Sequence, residues 1–311
     1  MSKRVVITTG DPAGCGPAIT LHAIEKIKER NVEFVVVGDK EILEQEPHYR
    51  RVKKRIKLID VHTPGISTLK KGTISTVAGS ASLAYLRRAL AVVKKEKIPC
   101  LTTAPVCKEA IQRIMPDFQG HTELLARSFR VKRFCMMMSS KKLNVILLTR
   151  HLPLREVSKK LTKKLVLDTI ELAYSFLRWR LKIRHPKIAI SSLNPHAGVN
   201  TFLDKEEKKI TGAINASRRK IWGPYPSDTL FIPKNLNEFH CIIACYHDQG
   251  MIPFKLLSFT DGVNLTLGLP IIRTSPAHGT AFDAIKKKQP LDFSSMQAAI
   301  TRALCISYEA H

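Results

Sequence analysis

Apolar runs of five to seven residues, broken by polar turns, recur along this chain. Residues 4–9, 33–38 and 56–61 open the series, and their β-branched content predicts buried strands. Residues 99–105 predict a fourth strand ending in a Thr-Ala-Pro turn. Residues 134–138 and 143–149 flank a polar Ser-Ser-Lys-Lys stretch and predict an antiparallel pair. Residues 187–192 and 241–245 predict two more strands. Between these runs the period becomes helical. Helices are expected over about 18–29, 80–97, 108–115, from just after 122, 162–181 and 204–220, with closing helices near 277–287 and 294–308. Ser80 or Ser82 is the expected cap of the second helix, and Thr122 of the fourth. Residues 63–79 read as a polar excursion. Strands alternating with helices predict an α/β fold. At 311 residues the chain suits one large α/β unit or two domains.

Hydrophobic content is 44% with only 6% aromatic residues, so the core is aliphatic. No apolar run reaches the length of a membrane span, and the N-terminus carries no apolar signal region. A cytoplasmic protein with no membrane partner is expected. Seven scattered cysteines, with no Cys-x-x-Cys pair, suggest neither a disulfide framework nor a thiolate metal site. Charge adds one question: 51 basic minus 26 acidic residues leaves +25. Six of the eight residues at 50–57 are basic, and five of the ten at 178–187. Without basic-aromatic interleaving these runs read as a solvated surface, and no specific nucleic-acid partner is expected. The positive field would still favour an anionic substrate.

Candidate chemistry gathers at strand ends. The glycine-rich turn Gly10-Asp-Pro-Ala-Gly-Cys-Gly-Pro17 follows the first strand but matches neither a dinucleotide fingerprint nor a Walker loop. His151, His196 and His247 each follow a predicted buried strand. Three such histidines suit Zn²⁺, Co²⁺ or a similar divalent ion, with Asp228 and Asp248 as nearby carboxylates. His247 and Asp248 are expected where the strand at 241–245 gives way to a loop, and Lys255, Asn264 and Arg273 follow within 26 positions.

Eleven motifs in order carry a resemblance. They are Gly10-Asp-Pro-Ala-Gly, Thr103-Ala-Pro, Gly120-His-Thr-Glu, His151-Leu-Pro-Leu-Arg, Asn194-Pro-His-Ala-Gly, Asp228-Thr-Leu-Phe, Tyr246-His-Asp-Gln-Gly, Gly262-Val-Asn, Leu267-Gly-Leu-Pro, Arg273-Thr-Ser and His278-Gly-Thr-Ala. Together they make the chain resemble the 4-hydroxythreonine-4-phosphate dehydrogenase family over nearly its whole length. The resemblance implies two α/β/α domains like those of isocitrate and isopropylmalate dehydrogenases, with the active site in the cleft between them. Residues 1–130 and 270–311 would form the first domain. Residues 131–269 would form the second, carrying the metal ligands and the dimer interface.

The resemblance also implies NAD or NADP, a divalent metal (Zn, Mg or Co), and a homodimer whose metal ligands come from both subunits, His247 of one chain meeting His151 of the other. The metal-binding histidines fall on His151, His196 and His247. Substrate-binding residues fall on His121, Thr122, Lys255, Asn264 and Arg273. The cofactor loop falls on His278, Gly279, Thr280 and Ala281. Lys255, Asp248 and Asp228 are the candidate catalytic groups. The implied reaction oxidises 4-phosphooxy-L-threonine to a β-keto acid, which decarboxylates to 3-amino-2-oxopropyl phosphate in pyridoxal phosphate biosynthesis. The alternative is a sister dehydrogenase of erythronate or threonate phosphate. More distant is a basic nucleic-acid-binding protein on the same scaffold. Two departures stand out: Val199-Asn-Thr201 after Asn194-Pro-His-Ala-Gly, and Cys15 with Ala18 in the first motif.

Overall fold

The computed structural model describes residues 2–198, 204–258 and 260–309. The departure at Val199-Asn-Thr201 lies outside them. In chain order the strands are β1 (Lys3–Thr8), β2 (Val32–Gly38), β3 (Ile56–Asp60), β4 (Cys100–Thr103), β5 (Cys135–Ser139), β6 (Asn144–Leu147), β7 (Ile188–Ser191), β8 (Ile221–Tyr225), β9 (Cys241–Ala244), β10 (Val263–Leu267) and β11 (Ile272–Pro276). The chain divides into two compact units. The first is Met1–Lys132 with Leu269–Glu309, and the second is Arg133–Gly268.

The first unit carries β3-β2-β1-β4-β11 in that order, all parallel. The order reverses between β1 and β4, which is where open α/β sheets place their ligand loops. The loops after β1 and β4 touch at that point. Asp11 N–H donates to Pro105 O at 2.9 Å, and a methyl on Gly10 would lie 2.3 Å from that oxygen. Gly16 is equally confined, since a methyl there would meet Thr9 O at 2.0 Å. These glycines allow close backbone packing of the turn. The helix Thr76–Glu96 covers one face, burying Ala81, Tyr85, Leu86, Ala89 and Val93 against Val6, Val35 and Leu101. It starts earlier than the expected residue 80 because Ser75, not Ser80 or Ser82, caps it: Ala78 N–H donates to Ser75 Oγ at 3.1 Å. Tyr85 donates to Asp39 at 2.6 Å, which satisfies its buried hydroxyl.

The second unit carries β10-β5-β6-β9-β7-β8. The expected antiparallel pair is β5 with β6, and β10 joins it antiparallel. From β6 through β9, β7 and β8 the pairing is parallel. Thr162 caps the helix Lys163–Ser175 by accepting from Leu165 N–H at 3.1 Å. His247 and Asp248 do not open a loop. They begin a helix, His247–Leu257, that contains Pro253. Gly250 lets this helix lie directly on the sheet, since a methyl there would come within 2.6 Å of Leu147 and 3.1 Å of Ala244.

Candidate active site

Sheet order explains the strand-end histidines. β6, β9 and β7 are neighbours and parallel, so the segments after them leave from one edge of the second unit. His151 follows β6, His247 follows β9 and His196 follows β7. The His151 and His247 rings stand 5.7 Å apart, inclined at 43°. Leu147 and Ala244 are register partners, which sets the two segments side by side within one chain. His196 is exposed, in the left-handed region at φ 54°. Among the described residues it does not close to a three-ligand group with the other two.

The donor chemistry of the pair fits a divalent ion. An ionised carboxylate only accepts, so His247 Nδ1–H donates to Asp248 Oδ1 at 2.7 Å and Nε2 keeps its lone pair. Carboxylate-fixed imidazoles are the usual form of a metal-ligating histidine. Asp248 therefore serves as an orienting group for His247. Gln249, in the same motif, ties three segments together. Its Oε1 accepts from Cys245 N–H at 2.6 Å and Ser191 Oγ at 2.7 Å. Its Nε2 donates to Ser192 O at 2.8 Å and Ser227 Oγ at 2.7 Å. Asp228, next to Ser227, is exposed. Glu207 holds the loop before His196, accepting from Leu193 and Asn194 N–H at 3.0 and 2.8 Å. Lys255 is exposed on the helix that His247 opens. Asn264 lies on β10 with a buried Oδ1 that accepts no hydrogen bond.

In the first unit the structure gathers His121, Thr122 and Arg273. Helix His121–Ser128 begins one residue before Thr122, with Gly120 as its N-cap, so Thr122 is not the cap. Arg273 on β11 is only 3% exposed and donates from Nη2 to Thr103 Oγ1 at 2.6 Å. Burial brings its guanidinium down to about 10, partly offset by the Glu123 carboxylate, so it stays charged near neutrality. His121 is held neutral, well below the ordinary imidazole range, first by burial and then by the Arg273 and Lys108 charges. Its Nε2 is buried without a hydrogen-bond partner. A buried cation, an unsatisfied imidazole nitrogen and the positive end of a helix suit an anion. Thr103 and Lys108 escaped the sequence reading as site residues. Lys108 had one signal: it is the first residue of helix Lys108–Gln112, where a cation opposes the helix dipole.

The glycine-rich turn and the segment His278–Ala281 pack together in the same unit. Cys15 N–H donates to Thr280 O at 2.9 Å, and a methyl on Gly14 would lie 3.1 Å from Thr280 Cβ. Space beside Gly279 is open, and His278 is exposed. Asp11 is fully buried, with Oδ1 accepting from Ala13 N–H at 2.8 Å and Oδ2 unsatisfied. Burial pushes its carboxyl up to about 6.

Among the described residues, His22, Glu25 and His48 have ligand-type atoms within 4.8 Å of one another. Their geometry suits a tether better than a metal centre. Glu25 is already engaged by His48 Nδ1 at 2.5 Å and Arg51 at 3.1 Å. The two imidazoles stack at 4.0 Å and 12°, so their in-plane lone pairs run side by side rather than converge.

The family model for the pyridoxal phosphate biosynthetic protein PdxA matches residues 6–303. A 4-hydroxythreonine-4-phosphate dehydrogenase of Desulfosudis oleivorans is 38% identical over 322 residues, covering 96% of this chain and 94% of its own. A D-threonate 4-phosphate dehydrogenase of Pectobacterium atrosepticum is 36% identical, covering 91% and 93%. The crystal structure of 4-hydroxythreonine-4-phosphate dehydrogenase from Klebsiella pneumoniae superposes with a TM-score of 0.85 at 34% identity, covering 99% of this chain and 98% of that one. With its α/β units, its strand-end histidines and its anion-suited cluster, the chain belongs to the PdxA family, whose named relatives are dehydrogenases.

Proposed function

We propose that the protein oxidises the secondary hydroxyl of 4-hydroxythreonine 4-phosphate, using NAD or NADP and a divalent ion. The observation that carries this reading is the buried Arg273 beside His121 at the start of helix His121–Ser128. The names of the relatives support a phosphate ester as that anion. Thr122 offers a helix-end amide to the phosphate, and Arg273 a planar fork. His247 and His151 would hold the ion, with Asp248 fixing the His247 tautomer. His196 would enter as a third ligand. The ion would supply Lewis-acid polarisation of the hydroxyl held between these residues, and the nicotinamide would supply the hydride acceptor. Lys255 and Asp228 are the exposed groups left to carry the hydroxyl proton, and Lys255 and Asn264 to hold substrate oxygens. The segment His278–Ala281 would contact the cofactor. The β-keto acid then loses CO₂, leaving 3-amino-2-oxopropyl phosphate.

The proposal includes a homodimer. Leu152 and Leu154 directly follow His151, and Ile252 and Leu256 lie on the His247 helix; all four are exposed, Leu256 by 82%. A second copy would cover them. A second substrate reading follows from the relatives named D-threonate 4-phosphate dehydrogenase. NADH or NADPH formation with 4-hydroxythreonine 4-phosphate, D-threonate 4-phosphate and D-erythronate 4-phosphate decides between them. A higher kcat/KM for either sugar acid would overturn the primary reading, and no turnover of any would overturn the phosphate-ester reading.

A further inference from the structure

We propose that Lys108 is a further phosphate-binding residue, placing its ammonium at the start of the helix His121–Ser128. The inference rests on the reading of this cluster as the phosphate site. Lys108 and Gly120 are brought together although they belong to different segments. A methyl built on Gly120 would lie 3.5 Å from Lys108 Cε and 3.7 Å from Nζ. The same methyl would lie 3.1 Å from Glu123 Oε2, so both side chains crowd the helix start. Gly120 also holds φ 152°, which a side chain would strain. The residue that lets the lysine approach is thus the glycine before His121.

The Lys108 ammonium makes no hydrogen bond or ion pair among the described residues. Its charge nevertheless reaches His121, where it acts with Arg273 to keep the imidazole neutral. The buried His121 Nε2 without a hydrogen-bond partner independently points to a ligand at this place. Charge decides the argument. Arg273 and Glu123 cancel, and His121 is neutral. Lys108 alone leaves the cluster with a net positive charge, while a phosphate ester brings about −1.5 to −2. A cation at the first position of its own short helix also opposes the local dipole. That local misfit has an explanation if the lysine serves the neighbouring helix.

The test is inorganic phosphate binding to the intact protein, followed by calorimetry, for the wild type, Lys108→Met and Lys108→Arg. Phosphate affinity is expected to fall about tenfold in Lys108→Met and to stay within about threefold in Lys108→Arg, as for loss or retention of one charge-assisted contact. KM for the phosphorylated substrate should rise in parallel, with kcat little changed. The His121 imidazole, followed by NMR, should titrate at higher pH in Lys108→Met. Equal phosphate binding by wild type and Lys108→Met overturns the proposal. Phosphate binding by neither, with Arg273→Lys also silent, overturns the phosphate-site reading itself.

Discussion

His247 Nδ1 lies 2.7 Å from Asp248 Oδ1, so two adjacent residues at a helix start fix one imidazole tautomer. That leaves Nε2 as the ligand atom. Asp248→Asn should weaken metal binding. Losses of about 10–100-fold are typical for such partners. Asp248 is 72% exposed, so the lower end is expected. Metal titration against a competing chelator measures it. Unchanged affinity would reduce the pair to a surface contact.

Arg273 gives the sharpest kinetic test. Its planar fork is buried against Thr103, and an ammonium cannot replace it. Arg273→Lys should cost roughly 1–3 kcal/mol in kcat/KM. A folded variant with wild-type kcat/KM would remove Arg273 from the anion site.

Asp11 predicts a pH dependence of stability. Its folded-state pKa of about 6 lies above the ordinary carboxylate value. The folded state therefore holds more protons through that window, and stability falls as pH rises through it. Above about 6 the penalty is complete and amounts to at most about 3 kcal/mol. Asp11→Asn keeps an acceptor for Ala13 N–H but cannot ionise. Its stability relative to wild type should improve between pH 4 and pH 7 in urea denaturation. A constant difference across that range would show that the carboxyl does not titrate there.

Subunit mixing tests the histidine pair. If each site is shared between subunits, as the family resemblance implies, refolding His151→Ala together with His247→Ala should restore about a quarter of wild-type activity through mixed dimers, by two-fold symmetry. Activity at background would assign both histidines to the site of one chain, where their rings stand 5.7 Å apart.

Gln249→Ala should destabilise the second unit. It strands Cys245 N–H and removes the shorter of the two hydrogen bonds made by each of the Ser191 and Ser227 hydroxyls. The expected loss is about 1–3 kcal/mol, read from chemical denaturation. An unchanged midpoint would mean that water replaces the amide at no cost.

The apolar runs by themselves determined where most strands lie, because buried parallel strands need continuous aliphatic segments on both faces. They also set His151, His196 and His247 just past strand ends, and the ordered motifs carried the family. What the runs left open was decided by contacts between distant residues. The helix His247–Leu257 was hidden by Gly250 and Pro253, which read as loop residues. Its place comes from packing on Leu147 and Ala244, not from local propensity. The start of helix Thr76–Glu96 turned on which of several serines adopts an extended backbone, and only the folded chain selects Ser75. Lys108 shows the same limit most clearly. Its own segment offers only a cation misplaced at a helix start, and its role comes from Gly120, twelve residues on, whose missing side chain lets the ammonium approach the start of another helix.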